Sequence, residues 1–139
     1  MIILDTNVLS ELMKPAPASI VVDWVGAQPA TSLYTTSITQ AEMLHGIMLL
    51  PRGKRRRALK LAATAMFAED FGGRILGFDA DAAPPYARIA SDRRRAGRPI
   101  SHFDTQIAAI ARATGAVLAT RNLGDFADCG VSLVDPWRP

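Results

Sequence analysis

Short apolar segments alternate with amphipathic segments along the chain, and this alternation restricts the fold more than any other feature. Helical patterns separate most of the apolar segments, and strands joined through helices form parallel sheets that are covered on both faces. With right-handed crossovers, the sequence predicts a three-layer α/β sandwich around a mostly parallel sheet of about five strands. The five segments predicted as strands are Ile2–Leu4, Leu33–Thr35, Ile75–Phe78, Val117–Ala119 and Val131–Val134.

Capping residues and helix breakers mark the predicted helices. Ser37 is expected to cap a helix that runs to about Leu50, and Ser101 to cap one that ends at Gly115. Pro84-Pro85 must lie in or near the first turn of the helix that follows Asp79. The helix after Ser37 is expected to turn these apolar side chains inward: Ile38, Ala41, Leu44 and Met48.

The composition fits one domain over residues 1–139, because 49% of the chain is hydrophobic and this is enough for a real core. No apolar stretch is long enough to span a bilayer, and the first apolar run meets an acid at Asp5, unlike a signal peptide. Cys129 is the only cysteine and cannot form an internal disulfide. We therefore expect a cytoplasmic protein.

Four acids follow predicted strands or open predicted helices: Asp5, Glu42, Asp104 and Asp125. Each has a structural explanation as a helix cap, a capping box or a turn residue. Together they predict more, because strand ends and helix starts meet at one edge of such a sheet, where ligands bind. Like charges raise one another's pKa there, and Mg²⁺ or Mn²⁺ would relieve the repulsion. Water activated by such an ion can hydrolyse phosphodiesters.

Two basic segments complement these acids. One lies between Arg52 and Lys60 and the other between Arg88 and Arg98, in a chain with a net charge of +3. Runs of charge are commonly solvated helix faces. Beside an acidic, metal-binding pocket they also suit a polyanion, because arginines attract phosphates while the metal shields them from the acids.

The acids lie in four ordered motifs. In sequence order they are Leu4-Asp5-Thr6-Asn7, Glu42 on a helix after Thr36-Ser37, Asp104-x-x-Ile107-Ala108-Ala109, and Thr120-Arg121-Asn122-x-x-Asp125-Phe126. Their order and spacing, over nearly the whole chain, resemble those of PIN-domain ribonucleases. The resemblance is closest to the toxins of bacterial VapBC toxin–antitoxin pairs.

This resemblance implies an endoribonuclease that depends on Mg²⁺ or Mn²⁺ and uses Asp5, Glu42, Asp104 and Asp125 as metal-binding and catalytic acids. It implies supporting roles for five further residues: Thr6, Asn7, Ser37, Thr120 and Asn122. The implied partners are RNA, a second copy of the chain and a VapB-like antitoxin whose tail occupies the pocket, in a heterotetramer or larger assembly. Within the basic segments, the candidates for contact with the RNA backbone are Arg55, Arg56, Arg93 and Arg94.

Two other classes of function remain to be compared with a nuclease. Phosphoaspartyl proteins also place an aspartate after the first strand, but they need a lysine late in the chain, and the last lysine here is Lys60. The second class is a non-catalytic module that binds nucleic acid or a partner and uses its acids only to hold a structural cation. Cleavage of RNA with Mn²⁺, and its loss with EDTA, would separate this module from the nuclease.

Overall fold

A five-stranded sheet with helices on both faces forms the centre of the molecule, and the computed structural model describes all residues from 1 to 139. In space the third, second, first, fourth and fifth strands follow one another, and every neighbouring pair is parallel. The predicted α/β sandwich is therefore confirmed. The strands are β1 (Ile2–Leu4), β2 (Leu33–Thr36), β3 (Ile75–Leu76), β4 (Val117–Ala119) and β5 (Leu133–Val134).

Six α-helices surround the sheet, and none is long and apolar enough to cross a membrane. Short helical turns of other types complete them: a π-helical turn over Met66–Asp70 and 3₁₀ turns over Ala30–Ser32, Ala80–Ala82 and Leu123–Phe126. The α-helices are α1 (Thr6–Leu12), α2 (Ser19–Gly26), α3 (Ser37–Met48), α4 (Lys54–Ala65), α5 (Ala83–Arg95) and α6 (His102–Thr114).

Adjacent residues of β1 face two separate cores, because successive side chains of a strand point to opposite faces of the sheet. Ile3 packs into a cluster with residues of α5 and α6, such as Ile89 and Ile107. Leu4 packs on the opposite face with residues of α1 to α4, such as Leu9 and Met43. Both faces are thus covered, and the carboxyl edge of the sheet is left for the polar residues.

The observed ends of the helices agree with two of the predictions from local sequence and differ from a third. Ser101 caps α6 by accepting from the Asp104 backbone N–H at 3.1 Å, and Gly115 ends it with φ of 69°, a left-handed conformation that favours glycine. Pro84-Pro85 lies in the first turn of α5, as predicted. The prediction for Ser37 was wrong: Thr36 caps α3, because β2 extends one residue further and Thr36 keeps an extended conformation.

The buried face of α3 also differs from the prediction. The buried residues of α3 are Thr39, Met43 and Ile47. Of the residues expected to face inward, Ala41 and Met48 are exposed, and Ile38 and Leu44 are only partly buried. Packing of α3 against both α1 and α4 selects this face. As a result, Thr39 and Glu42 lie on the side of α3 where α1 begins.

Candidate active site

Asp5 lies at the centre of the carboxyl edge, immediately after β1 and beside the end of β4, where the strand order reverses. Its Oδ1 accepts from the Thr6 backbone N–H at 2.8 Å, which makes it the N-cap of α1. Its Oδ2 accepts from the Thr120 hydroxyl at 2.9 Å and from Nδ2 of Asn7 at 3.1 Å. Both oxygens are therefore held in place, and only 4% of the residue is exposed.

Asn7 links the ends of β1 and β4. Its amide nitrogen also donates to the Thr120 hydroxyl at 3.2 Å, and its Oδ1 accepts from the Arg121 backbone N–H at 3.2 Å. Thr120 in turn accepts from the Asn122 backbone N–H at 3.1 Å. Side chains thus join two loops that are more than 110 residues apart in sequence.

Glu42 reaches the same edge from α3. Its Oε1 accepts from the Thr6 hydroxyl at 3.0 Å, and that hydroxyl lies 3.1 Å from Oγ1 of Thr39. Thr39 donates its backbone N–H to the capping Thr36 hydroxyl at 3.1 Å. The Thr39-Gln40-Ala41-Glu42 segment is therefore not a capping box: Glu42 contacts the first turn of α1 instead of its own helix start.

Asp104 and Asp125 complete the acidic cluster from the other side. Asp104 lies in the first turn of α6 and is partly buried. Asp125 is exposed and belongs to the 3₁₀ turn after β4. Both lie near enough to Asp5 for their charges to interact with its carboxylate. The charge of Asp125 raises the pKa of Asp5, and the charge of Asp5 raises the pKa of Asp104. The structure thus brings the four predicted acids to one edge.

The pKa values of three of the acids are raised, because this arrangement disfavours their charged forms. Burial is the largest cause that raises the pKa of Asp5, and the hydrogen bonds from Thr120, Thr6 and Asn7 oppose it. Burial likewise raises the pKa of Glu42, against the hydrogen bond from Thr6, while the charges of Asp5 and Asp104 add to the increase. For Asp104, burial and then the Asp5 charge raise the pKa.

None of the three ion pairs in the molecule includes Asp5, Glu42, Asp104 or Asp125. The charge of Arg93 lowers the pKa of Asp104, but less than burial and the Asp5 charge raise it. As the side chains stand, no three acids, histidines or cysteines converge closely enough to hold one metal ion. The donor set still fits Mg²⁺ or Mn²⁺, which prefer carboxylate oxygen and bind through one or two carboxylates with the remaining positions taken by water.

Arg93 corrects one sequence prediction. It was a candidate for contact with the RNA backbone, but only 6% of it is exposed. Its Nε donates to the Arg98 carbonyl at 2.7 Å, and its Nη1 donates to the carbonyls of Asp125 and Ala127, both at 2.9 Å. Because its donors are occupied inside the protein, Arg93 supports the turn that carries Asp125 and does not face a phosphate.

The other predicted residues differ in their surroundings. Arg55 is exposed and lines a groove that also contains Thr6 and Glu42. Arg94 is exposed on α5, whereas Arg56 is partly buried with its Nη2 3.2 Å from the Met48 sulfur. The Ser37 and Asn122 side chains make no hydrogen bond within the protein, unlike those of Thr6, Asn7 and Thr120. The sequence analysis did not identify Thr36 and Thr39 as residues that support the site, although the threonines before Glu42 indicated a helix cap there.

The sequence matches the family described as PIN domain over residues 2–130. The chain belongs to the PIN domain family. This PIN domain is 39% identical to VapC ribonuclease Y4jK of Sinorhizobium fredii over 139 residues, which cover 100% of this chain and 99% of that protein. It is 38% identical to toxin FitB of Neisseria gonorrhoeae over 138 residues, or 99% of each chain.

A solved structure is similar over the same length. The crystal structure of FitAcB from Neisseria gonorrhoeae has a TM-score of 0.93 with this PIN domain at 37% identity, and the match covers 100% of both chains. The likeness therefore extends over the whole sheet and the helices that carry the four acids. The family expected from the sequence motifs is confirmed.

Proposed function

We propose that this PIN domain is a metal-dependent endoribonuclease that uses Mg²⁺ or Mn²⁺, with Asp5, Glu42, Asp104 and Asp125 as its metal-binding and catalytic acids. The relative Y4jK, which is named a VapC ribonuclease, supports the activity. One observation carries the proposal for the site. Asp5 is buried, is hydrogen-bonded through both oxygens and shares the edge with three further acids, and none of the four acids forms an ion pair.

A bound divalent ion supplies Lewis-acid chemistry, which lowers the pKa of an attacking water and neutralises charge on the phosphate. The chain's own residues supply orientation. Thr6, Asn7 and Thr120 hold Asp5 in one rotamer, so that its oxygens present a fixed position to a cation. Such fixed positions matter because misplacement by about 1 Å can cost a hundredfold in rate.

Glu42 is the acid best placed to accept a proton. Its raised pKa, caused first by burial, brings the carboxylate closer to the pH at which a general base works well. Only Oε1 is engaged by the Thr6 hydroxyl, so Oε2 is free to accept from a water. Asp104, whose pKa is also raised by burial, shares the negative charge that a metal would balance.

RNA binding is assigned to the exposed arginines of the two basic segments. Arg55 is the strongest of the predicted candidates, because it lines a groove together with Glu42. A phosphate in that groove would lie near both the Arg55 guanidinium and the Glu42 carboxylate. Arg94 is exposed on α5 and serves as a more distant contact, and Arg56 contributes less because it packs against Met48.

We further infer that the protein is a toxin, neutralised by a VapB-like antitoxin. The relative FitB is named a toxin. A groove of about 640 Å³ supports this inference, because it runs from apolar residues such as Met43, Ile47 and Leu59 to Thr6 and Glu42. An antitoxin tail in this groove would cover the acids and exclude RNA.

We also infer a homodimer that forms a heterotetramer or larger assembly with the antitoxin, and a single PIN domain over residues 1–139. Exposed apolar side chains on the second to fourth helices support association, because such patches commonly mark protein interfaces. Those of α2, α3 and α4 include Ile20, Val22, Met48 and Leu61. Strand β5, which lies beyond the family match, completes the sheet and supports one domain.

The test uses purified wild type, Asp5→Asn and a matched control, Asp23→Asn, which removes an exposed carboxylate from α2. We expect wild type and Asp23→Asn to cleave single-stranded RNA with Mn²⁺ or Mg²⁺ and to stop with EDTA. Asp5→Asn should be folded but at least a hundredfold slower, as is common when an essential catalytic group is removed. Equal cleavage by Asp5→Asn would refute the proposed site.

The same assay separates the nuclease from a non-catalytic module with a structural cation. Such a module would bind RNA without cleaving it at any Mn²⁺ concentration. To test the proposed toxin, a small open reading frame would be sought immediately upstream of this gene and co-expressed with it. Its product should co-purify with the PIN domain and abolish cleavage.

A further inference from the structure

A second concavity lies beside the acidic cluster, where the ends of β4 and β5 meet. Its volume is about 650 Å³. Asp125 forms part of its wall, so the concavity adjoins the proposed catalytic edge. None of the predicted RNA-binding arginines lines it. The polar and aromatic side chains in its wall are Arg121, Asn122, Asp125, Asp135, Trp137 and Arg138.

Arg121 and Trp137 form an ordered pair in this concavity. The guanidinium carbon of Arg121 lies 4.9 Å from the centre of the Trp137 ring, a cation–π contact. The Trp137 side chain is partly buried against the core cluster that contains Leu4 and Ala119, and its backbone N–H donates to Oδ1 of Asp135 at 2.9 Å. The position of the Arg121 charge is therefore determined by the indole ring.

The backbone of Arg121 is connected to the proposed catalytic acid Asp5 through the side chain of Asn7. Its N–H donates to Oδ1 of Asn7 at 3.2 Å, and Nδ2 of the same Asn7 donates to Oδ2 of Asp5 at 3.1 Å. One side chain thus sets the distance between the loop that carries Arg121 and the carboxylate of Asp5.

The Arg121 guanidinium makes no hydrogen bond and no ion pair within the protein. Its charge lowers the pKa of Glu11, but less than the contact with Lys14 does, and its N–H groups are available to a ligand. Other arginines differ: Arg98 pairs with Asp128, and Arg93 donates to internal carbonyls. The cation–π contact occupies a face of the guanidinium and leaves its edge, which matches the two oxygens of a phosphate. A stacked arginine with free donors is a prepared phosphate site.

We propose that Arg121, positioned by Trp137, binds a backbone phosphate of the RNA next to the one that is cleaved. The inference rests on the proposed ribonuclease function and assigns a substrate-binding subsite within it. Arg121 is the substrate contact, and Trp137 is a positioning residue that acts through it. The subsite lies at the ends of β4 and β5, whereas the groove that Arg55 lines lies between α1, α3 and α4. Since β1 lies between β2 and β4, RNA that contacts both would cross the acidic edge at Asp5.

The test measures binding and cleavage separately. Binding of a short single-stranded RNA is followed by fluorescence anisotropy in the Asp5→Asn background, at several salt concentrations. Adding Arg121→Gln should weaken binding about tenfold and lower the slope of log K against log salt by about 0.7, the value for one phosphate contact on a single strand. In cleavage assays, Arg121→Gln alone should raise KM about tenfold and change kcat less than about threefold.

Two further variants test the role of the ring. Trp137→Phe keeps an aromatic face and should retain wild-type KM within about twofold, whereas Trp137→Leu should behave like Arg121→Gln. The control is Arg112→Gln, which removes an exposed charge near the end of α6, outside both basic segments. It should change KM by less than about twofold and the salt slope by less than about 0.2.

An unchanged salt slope and KM for Arg121→Gln would overturn the subsite, and that variant decides alone if Trp137→Leu fails to fold. Cleavage by wild type that stops with EDTA would then still support the nuclease. Conversely, if wild type binds RNA without cleaving it, the binding arm still decides whether Arg121 contacts a phosphate.

Discussion

The buried guanidinium of Arg93 donates a hydrogen bond of 2.9 Å to the backbone carbonyl of Asp125. Arg93 lies on α5, in a segment that looks like a solvated basic surface in the sequence, yet it fixes the turn after β4. That turn carries the Asp125 carboxylate, whose charge reaches both Asp5 and Asp104. One arginine thus connects the basic helix to the acidic edge from the inside.

Replacing Arg93 with methionine should destabilise the protein by about 2–4 kcal/mol, because the carbonyls of Arg98, Asp125 and Ala127 would lose their buried donor. Urea unfolding of the metal-free protein measures this loss. The matched control is Arg94→Met, at the exposed neighbouring position, where we expect less than about 0.5 kcal/mol. Equal stability of the two variants would show that the Arg93 contacts contribute little.

Thr120→Val keeps the shape of the side chain but removes the hydroxyl that donates to Asp5 at 2.9 Å. That hydrogen bond lowers the pKa of Asp5, so its loss should raise this pKa further and move the acidic limb of the pH–rate profile to higher pH. The rate should fall about ten- to hundredfold, equivalent to losing one hydrogen bond to a charged group.

Thr64→Val provides the control for Thr120→Val, because Thr64 is exposed on α4 and makes no side-chain hydrogen bond. Its pH–rate profile should match that of wild type. A Thr120→Val profile with an unshifted acidic limb would mean that this hydroxyl does not set the ionisation of Asp5.

The metal-free protein should become less stable as pH rises from about 4 through the raised folded-state pKa values of Asp5, Glu42 and Asp104. The ordinary values are 3.8 for the aspartates and 4.5 for the glutamate. Between these and the raised values the folded state holds more protons than the unfolded state, so the slope of unfolding free energy against pH is negative for these groups.

Thermal unfolding in EDTA at a series of pH values tests this sign. Asp5→Asn removes the most buried of the three carboxylates, so at neutral pH its Tm should exceed that of wild type, and its pH dependence should be weaker. A lower Tm for Asp5→Asn at neutral pH would indicate that the hydrogen bonds to Asp5 outweigh its burial.

Mn²⁺ should stabilise wild type by about 2.7 kcal/mol when its concentration is a hundred times Kd, because it binds only the folded state. The gain should disappear in Asp5→Asn and persist in Asp23→Asn, which lacks only an exposed carboxylate of α2. Urea unfolding with and without Mn²⁺ measures it. The same gain in Asp5→Asn would place the ion elsewhere on the protein.

The parts of this fold that depend on local pattern could be predicted from the sequence. Alternating strands and helices, the cap at Ser101 and the left-handed Gly115 all depend on neighbouring residues. The gathering of the four acids followed from the rule that parallel strands end at one edge. Thr36 and Ser37 could not be separated as caps, because both suit an N-cap and only the length of β2 decides between them.

The remaining features depend on contacts between distant segments. Arg93 lies four residues after Ile89 and therefore on the buried face of α5, but the carbonyls that accept from it belong to a turn more than 30 residues later. The pairing of Arg121 with Trp137 needs β4 and β5 to lie side by side. The bond from Thr6 to Glu42 needs α1 to pack against α3.

The central strand β1 is synthesised first, but one of its two partners, β4, is completed only at Ala119. A nascent chain that lacks the last quarter of these residues has an unpaired edge on β1 and neither Thr120 nor Asp125. Translation must therefore pass both residues before Asp5 acquires its surroundings. A partly made chain that stops before Thr120 therefore lacks the hydroxyl that holds Asp5, and it is not expected to cleave RNA.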